Sequence, residues 1–207
     1  MAIRNSALTV AAAVCLLGAV SGCTAQSSTV PEKPNPREQV LAVAKMALDA
    51  GYTEQYDAMK DGEITFDEYD NSYKNVASCY EASGVGVTTP VINPVDGTTY
   101  LFQALGNGLE PSKVQQVMNT CLDKYWTMLS AVYNAVTPAT MDEALRVAVI
   151  SCLQRDGFEV SGDEENLSEL ARTQSETGDK RRNAVTDCVG NEAFRLYPDL
   201  PPINLIF

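Results

Sequence analysis

The cysteines constrain this chain most. Cys79, Cys121, Cys152 and Cys188 follow a leader that reads as an export signal, and thiols delivered in even number to an oxidising compartment form disulfides. None belongs to a Cys-x-x-Cys pair, so the spacing fits neither a four-thiolate zinc site nor a thioredoxin-like redox motif. Cys79 opens Cys79-Tyr80-Glu81-Ala82-Ser83-Gly84-Val85, and Cys152 opens Cys152-Leu153-Gln154-Arg155-Asp156-Gly157-Phe158. Each run is cysteine, four residues, glycine and an apolar residue at the end of a helical pattern, where glycine supplies the left-handed residue that stops a helix. Cys121 and Cys188 sit inside later helical stretches. The chain thus reads as two copies of helix–Cys–Gly–excursion–helix–Cys. Four cysteines permit three connectivities. The repeat makes pairing within each copy, Cys79–Cys121 and Cys152–Cys188, the economical choice.

The leader begins with Arg4 and an apolar run from Ala7 to Val20. Spanning a bilayer takes roughly 20 apolar residues, so a run this short is the core of an export signal. It ends in Val20-Ser21-Gly22-Cys23, which resembles the lipobox of bacterial lipoprotein signal peptides. Small side chains at Ser21 and Gly22 admit the peptidase, and the Cys23 thiol takes a diacylglyceryl group and becomes the new N-terminus. Thr24 to Pro36 is rich in Ser, Thr and Pro with no apolar period, so it cannot bury enough to fold. Stiffened by proline at about 3.1 Å per residue, it reaches on the order of 40 Å. The expected organisation is a signal peptide over 1–22, a lipidated cysteine and tether over 23–36, a first helical and hairpin unit over 37–135, and a second helical unit with an extended tail over 136–207. The expected location is the outer face of the bacterial cytoplasmic membrane, held there by the lipid.

Charge and composition exclude several functions. The chain carries 15 basic and 27 acidic side chains, a formal net charge of −12, and no histidine. No cationic patch is available for phosphates, which argues against nucleic acid as a partner. Without histidine there is no Ser–His–Asp or Cys–His catalysis and no histidine-based zinc site. No Gly-x-Ser-x-Gly elbow, Ser-x-x-Lys pair, phosphate loop or dinucleotide fingerprint occurs, and no cofactor is implied.

The pattern predicts an α+β fold, mostly helical. Asn35-Pro36-Arg37-Glu38 starts a helix with face Val40, Leu41, Ala44, Ala47 and Leu48, ending at Gly51. Thr53 to Lys60 forms a short second helix. Thr65-Phe66-Asp67-Glu68 is a capping box opening a third, with stripe Phe66, Tyr69, Tyr73, Val76 and Tyr80. Asp96-Gly97 between β-prone runs marks a hairpin within 85–104. A fourth helix is predicted from Ser112 unbroken to Tyr133, on the period Val114, Val117, Cys121, Tyr125, Met128 and Val132. Thr140-Met141-Asp142-Glu143 caps a fifth whose body, Ala144 to Leu153, is apolar nearly all round and hence buried. A last helix surrounds Cys188, and the tail's apolar end, Ile203 to Phe207, is expected to pack on the body.

The run from Tyr56 through Asp61-Gly62-Glu63-Ile64-Thr65-Phe66-Asp67-Glu68-Tyr69 to Cys79 and Gly84 resembles a group of small secreted lipoproteins of high-GC Gram-positive bacteria. They share a Tyr…Asp-Gly-x-Val/Ile-Thr-x-x-Glu-Tyr run and a helix ending in Cys-x4-Gly. The resemblance covers residues 52–133. It implies a disulfide, a helix–hairpin–helix order and an envelope location, and brings no activity.

Three constellations are candidates for function. Asp57, Asp61, Glu63 and Glu68 stand at positions 1, 5, 7 and 12 of an EF-hand pattern, and calcium favours such hard oxygens. Position 3 is Met59, a soft thioether, and a turn plus a helix cap accounts for the same letters. Tyr69, Tyr73 and Tyr80, with Tyr52, Tyr56 and Trp126, could form a glycan-stacking row, although aromatics at helical spacing serve more simply as core. Paired carboxylates among Asp57, Asp61, Glu63, Asp67, Glu68 and Asp70 could hydrolyse envelope polysaccharide without histidine, yet a charge run is usually a solvated face. The expectation is therefore a non-enzymatic binding or structural module whose partner is an envelope protein, glycan or small ligand. An acidic-site hydrolase is the alternative.

Overall fold

Sequence-encoded caps set several of the helix boundaries. The computed structural model describes residues 35–172 and 178–201. The leader, Cys23, the tether as far as residue 34 and the Ile203–Phe207 end lie outside the described residues. Helix α1 (Pro36–Asp49) starts where Asn35 Oδ1 accepts the Glu38 N–H at 2.9 Å, with Pro36 in the first turn. It buries Val40, Ala44 and Ala47, whereas Leu41 and Leu48, expected on the same face, are 38% and 45% exposed. Helix α2 (Thr53–Met59) follows. Helix α3 (Phe66–Ala82) opens on a reciprocal capping box: Thr65 Oγ1 accepts the Glu68 N–H, and the Glu68 carboxylate accepts the Thr65 N–H at 2.8 Å.

Helix α3 ends in a motif that recurs in the second half of the chain. Gly84 takes φ +79°, its N–H reaches the Glu81 carbonyl at 3.0 Å, and the Val85 N–H reaches the Tyr80 carbonyl at 2.9 Å. Helix α6 (Glu143–Arg155) ends the same way, with Gly157 at φ +85°, Gly157 N–H to Gln154 and Phe158 N–H to Leu153 at 2.9 Å. Both are Schellman endings, in which the positive φ of glycine lets two N–H groups close the last turn. In both, the cysteine lies one residue before the carbonyl that accepts the N–H of the residue after the glycine.

A narrow hairpin follows α3. Strand β1 (Gly86–Val87) pairs antiparallel with β4 (Ala104–Leu105), and β2 (Val91–Ile92) with β3 (Tyr100–Leu101). These are nested rungs of one hairpin, bridged by the Thr88 N–H to Gln103 carbonyl bond. The hairpin marked by Asp96-Gly97 is present, and its tip is a loop closed by the Asn93 N–H to Thr99 carbonyl bond at 2.8 Å. Asp96 builds it: Oδ1 accepts the Thr98 and Thr99 N–H groups at 2.8 Å each, and Oδ2 accepts Asn93 Nδ2 at 2.8 Å.

The predicted long fourth helix is two helices, α4 (Pro111–Tyr125) and α5 (Thr127–Val136), broken at Trp126 with φ −130°. The cause is a distant side chain. Gln55 of α2, fully buried, donates from Nε2 to the Asp123 carbonyl at 2.6 Å and accepts at Oε1 the Met128 and Leu129 N–H groups at 2.9 Å each. Ser72 Oγ of α3 donates to the Tyr125 carbonyl. Groups orphaned by the break are thus met from α2 and α3, and Trp126 turns into the core.

In the second half, Asp142, not Thr140, caps α6: its Oδ1 accepts the Ala144 and Leu145 N–H groups at 3.0 and 3.2 Å. Helix α6 is also not buried all round. It hides Leu145, Val149, Cys152 and Leu153 while Val147 is 50% exposed. The polar stretch after it contains α7 (Leu167–Ala171), and the last helix is α8 (Gly178–Leu196). Helix α8 packs mainly against α6, as α3 does against α4.

The fold is therefore mostly helical with a small antiparallel hairpin. Its apolar residues segregate into two clusters, one drawn from residues 40–133 and one from 141–193, except that Val95 at the hairpin tip joins the second. The same tip is tied on by the Thr140 N–H to Asp96 carbonyl and Asp142 N–H to Pro94 carbonyl bonds, at 2.9 and 2.8 Å. The described residues from Asn35 onward belong to one compact unit. No helix among the described residues is long and apolar enough to cross a membrane.

Candidate functional site

The acidic run does not assemble into a cation cage. Asp57 Oδ1 lies 2.9 Å from Lys60 Nζ. Asp61 Oδ1 accepts the Glu63 N–H at 3.1 Å, completing the turn at Gly62. Glu63 is exposed and stands 4.0 Å from Arg37 Nη1, while Glu68 is committed to the capping box. Met59, at the third loop position, is fully buried in the first core. The structure does not bring Asp57, Asp61, Glu63 and Glu68 together: each carboxylate turns to a partner in its own helix or turn, or across to α1. Among the described residues, the one group of acid and thiol ligands tight enough for an ion is Cys152, Asp156 and Cys188, and its two sulfurs are already bonded to each other.

The disulfides join Cys79 to Cys121 and Cys152 to Cys188, with Cα separations of 5.9 and 5.8 Å. The first ties α3 to α4 and the second ties α6 to α8. Cys121, Cys152 and Cys188 are buried and Cys79 is half-buried, so each bridge belongs to a helix–helix interface.

The tyrosine row is core. Tyr69 and Tyr80 are fully buried and Tyr73 nearly so. Tyr69 stacks on Tyr133 at 4.2 Å and meets Trp126 at 4.6 Å, and its hydroxyl accepts the Tyr100 N–H at 2.8 Å. The Tyr73 hydroxyl donates to the Thr88 carbonyl at 2.8 Å and so fixes the hairpin to α3. Tyr100 donates to Asp70 Oδ1 at 2.9 Å, and the Asp70 carboxyl, salt-bridged to Lys74 at 2.6 Å, is held below the usual carboxylate range. Burial pushes the Tyr69 and Tyr73 hydroxyls up, and takes Tyr80 and Tyr100 to about 12. The Tyr80 hydroxyl has no hydrogen-bond partner among the described residues.

Among the described residues, the two carboxylates that share a depression do not form a working acid–base pair. Glu54 and Glu68 line a small depression of about 200 Å³. Burial raises the Glu54 carboxyl, but the Lys124 ammonium at 3.0 Å and nearby N–H and hydroxyl donors outweigh it and hold the carboxyl low. A carboxyl held low is ionised near neutral pH and is not suited to general acid work. Sequence reading missed a roomier cleft of about 580 Å³, where the hairpin tip, α5 and the start of α7 meet. Asn134 on α5 lines it, and the Asn134 Oδ1 is buried without a hydrogen-bond partner among the described residues. The Asp96-Gly97 signal marked one wall; nothing in the local sequence marked Asn134. No family model matches this chain, and neither a curated protein nor a solved structure is significantly similar to it.

Proposed function

We propose that this chain is a membrane-anchored envelope lipoprotein, tethered through Cys23 at the outer face of the bacterial cytoplasmic membrane, whose folded body is a non-enzymatic binding or structural module. The observation that carries the reading is the pair of disulfides, one in each hydrophobic cluster. Cross-links of this kind persist in proteins held outside the reducing cytosol, which agrees with the export leader and lipobox. The dispersal of the acidic run into caps and ion pairs favours a module over a hydrolase. The test is to express the full chain and its Cys23→Ser variant in a bacterium fed labelled palmitate. The parent is expected to take up label and sediment with membranes, and the variant to lose both. Label on the variant, or a parent that stays unlabelled in the soluble fraction, would refute the anchor.

A further inference from the structure

The hairpin carries apolar side chains on both faces, and the first core covers only one of them. Tyr100, Phe102 and Ala104 pack on that core. Side chains alternate along a strand, so Leu101, Gln103 and Leu105 point the other way. Val91 is the cross-strand partner of Leu101 and shares its face. On this outward face Val91 is 39% and Leu105 44% exposed. A groove of about 500 Å³ lies against it, with Thr88, Val91, Leu101 and Gln103 on one wall and residues 196–201 on the other. We propose that the apolar segment Ile203 to Phe207 of this same chain occupies the groove and covers the outward face of the hairpin.

The described chain delivers the segment to this site. Past the end of α8, the Tyr197 hydroxyl donates to Asp142, the cap of α6. A turn closed by the Leu200 N–H to Tyr197 carbonyl bond at 3.1 Å then sets Leu200 and Pro201, both half-buried, in the groove wall. Two successive prolines follow from there, Pro201 and Pro202. A residue before proline is pushed out of the helical region, so Leu200 and Pro201 are both biased to extended backbone and the chain leaves the wall extended.

Pattern, length and charge fit the same occupant. In an extended chain every second side chain shares a face. Pro201 stands on the wall, so Ile203, Leu205 and Phe207 fall on its side, while Asn204, the one polar residue of the segment, falls on the other with Ile206. Residues 202–207 reach about 20 Å at about 3.3 Å each, comparable to the hairpin arm over residues 86–91. Asp199 is the one charged residue lining the groove among the described residues, and the segment carries no charged side chain to oppose the contact. An apolar peptide from another molecule has to arrive from solution, whereas this segment starts at the groove's own wall and acts at high effective concentration.

The test is methyl NMR of the purified, oxidised full chain carrying labelled Ile, Leu and Val methyl groups. Nuclear Overhauser cross-peaks are expected between the methyls of Ile203 or Leu205 and those of Val91 or Leu101. Leu205→Asp changes no residue of either core cluster, and should abolish these cross-peaks and shift the Val91 and Leu101 methyl signals. Removing residues 202–207 should shift the same two signals. Signals of residues 203–207 at free-chain positions, or cross-peaks from them to a different surface, would overturn the proposal. So would cross-peaks that arise only between molecules in a mixture of differently labelled chains, because the occupant would then be a second copy. Palmitate labelling reads the anchor separately, so failure of this contact and failure of the envelope reading are distinguishable.

Discussion

Replacing Gln55 by leucine tests the explanation of the α4–α5 break. The variant keeps a side chain of similar volume in a fully buried position and deletes three hydrogen bonds. The Asp123 residue is exposed, so its carbonyl can turn to water at little cost. The Leu129 N–H is buried and that of Met128 partly so, and each unmet buried group costs about 1–3 kcal/mol. The expected loss is therefore about 2–4 kcal/mol, a large share of the total stability of a domain this size. Urea unfolding of the oxidised protein, extrapolated linearly with the slope checked for constancy, measures it. Gln55→Glu turns a carboxylate oxygen towards the Asp123 carbonyl in a fully buried position, so it should destabilise at neutral pH and recover as the pH falls and the acid becomes a donor. Exposed Gln115, which bonds only Asn119 within α4, is the control, and Gln115→Leu should lie within about 0.5 kcal/mol of the parent. A Gln55→Leu loss below about 1 kcal/mol would refute the claim that this amide sets the break.

The remaining expectations concern the hairpin tip, pH and the cross-links. Gly97 has φ +68° and a Cβ there would lie 2.5 Å from the Thr140 carbonyl oxygen, so Gly97→Ala should destabilise by about 2 kcal/mol or more in the same assay; a neutral result would mean the tip is not pinned to residue 140. Tyr80, buried, and Tyr100, half-buried, are raised from 10.0 to about 12 and keep their protons in the folded state while the unfolded chain loses them. Their contribution is thus complete below pH 10 and falls as the pH rises towards 12, and thermal melts that stay flat across that window would contradict it. Asp142 is held below its ordinary 3.8 chiefly by the Tyr197 hydroxyl and by the N–H groups of α6. Its contribution is present above that value and lost as the pH falls below it, and Asp142→Asn should flatten that acid limb; an acid limb unchanged in Asp142→Asn would contradict the assignment. Removing either disulfide by paired Cys→Ser substitution should cost about 4 kcal/mol in the chain-entropy account of loops this long, and an unchanged urea midpoint would contradict it.

Local chemistry made part of the fold readable from residues alone. The Asn35 cap, the Thr65–Glu68 box and the glycine endings at Gly84 and Gly157 involve neighbours a few positions apart, so their letters carry their geometry. The break at Trp126 is different. The apolar period runs through it without interruption, and the residue that decides it lies 73 positions before Met128. Likewise Thr140 and Glu143 spell a capping box, yet Asp142 takes the cap because the chain before it is drawn to Pro94 and Asp96. The EF-hand letters from Asp57 to Glu68 were legible as a pattern but not as a site, since capping and turn formation compete for the same carboxylates. The Asn134 cleft was invisible because its walls come from three separated stretches of chain.

Intact-mass analysis of the chain extracted from membranes of the cells that make it, followed by non-reducing peptide mapping, tests the account most directly. The account predicts a chain that starts at Cys23, carries the mass of its acyl groups, has no free thiol, and yields cross-linked peptides joining Cys79 to Cys121 and Cys152 to Cys188. An unacylated chain with its leader intact, or one with four free sulfhydryls, would contradict it.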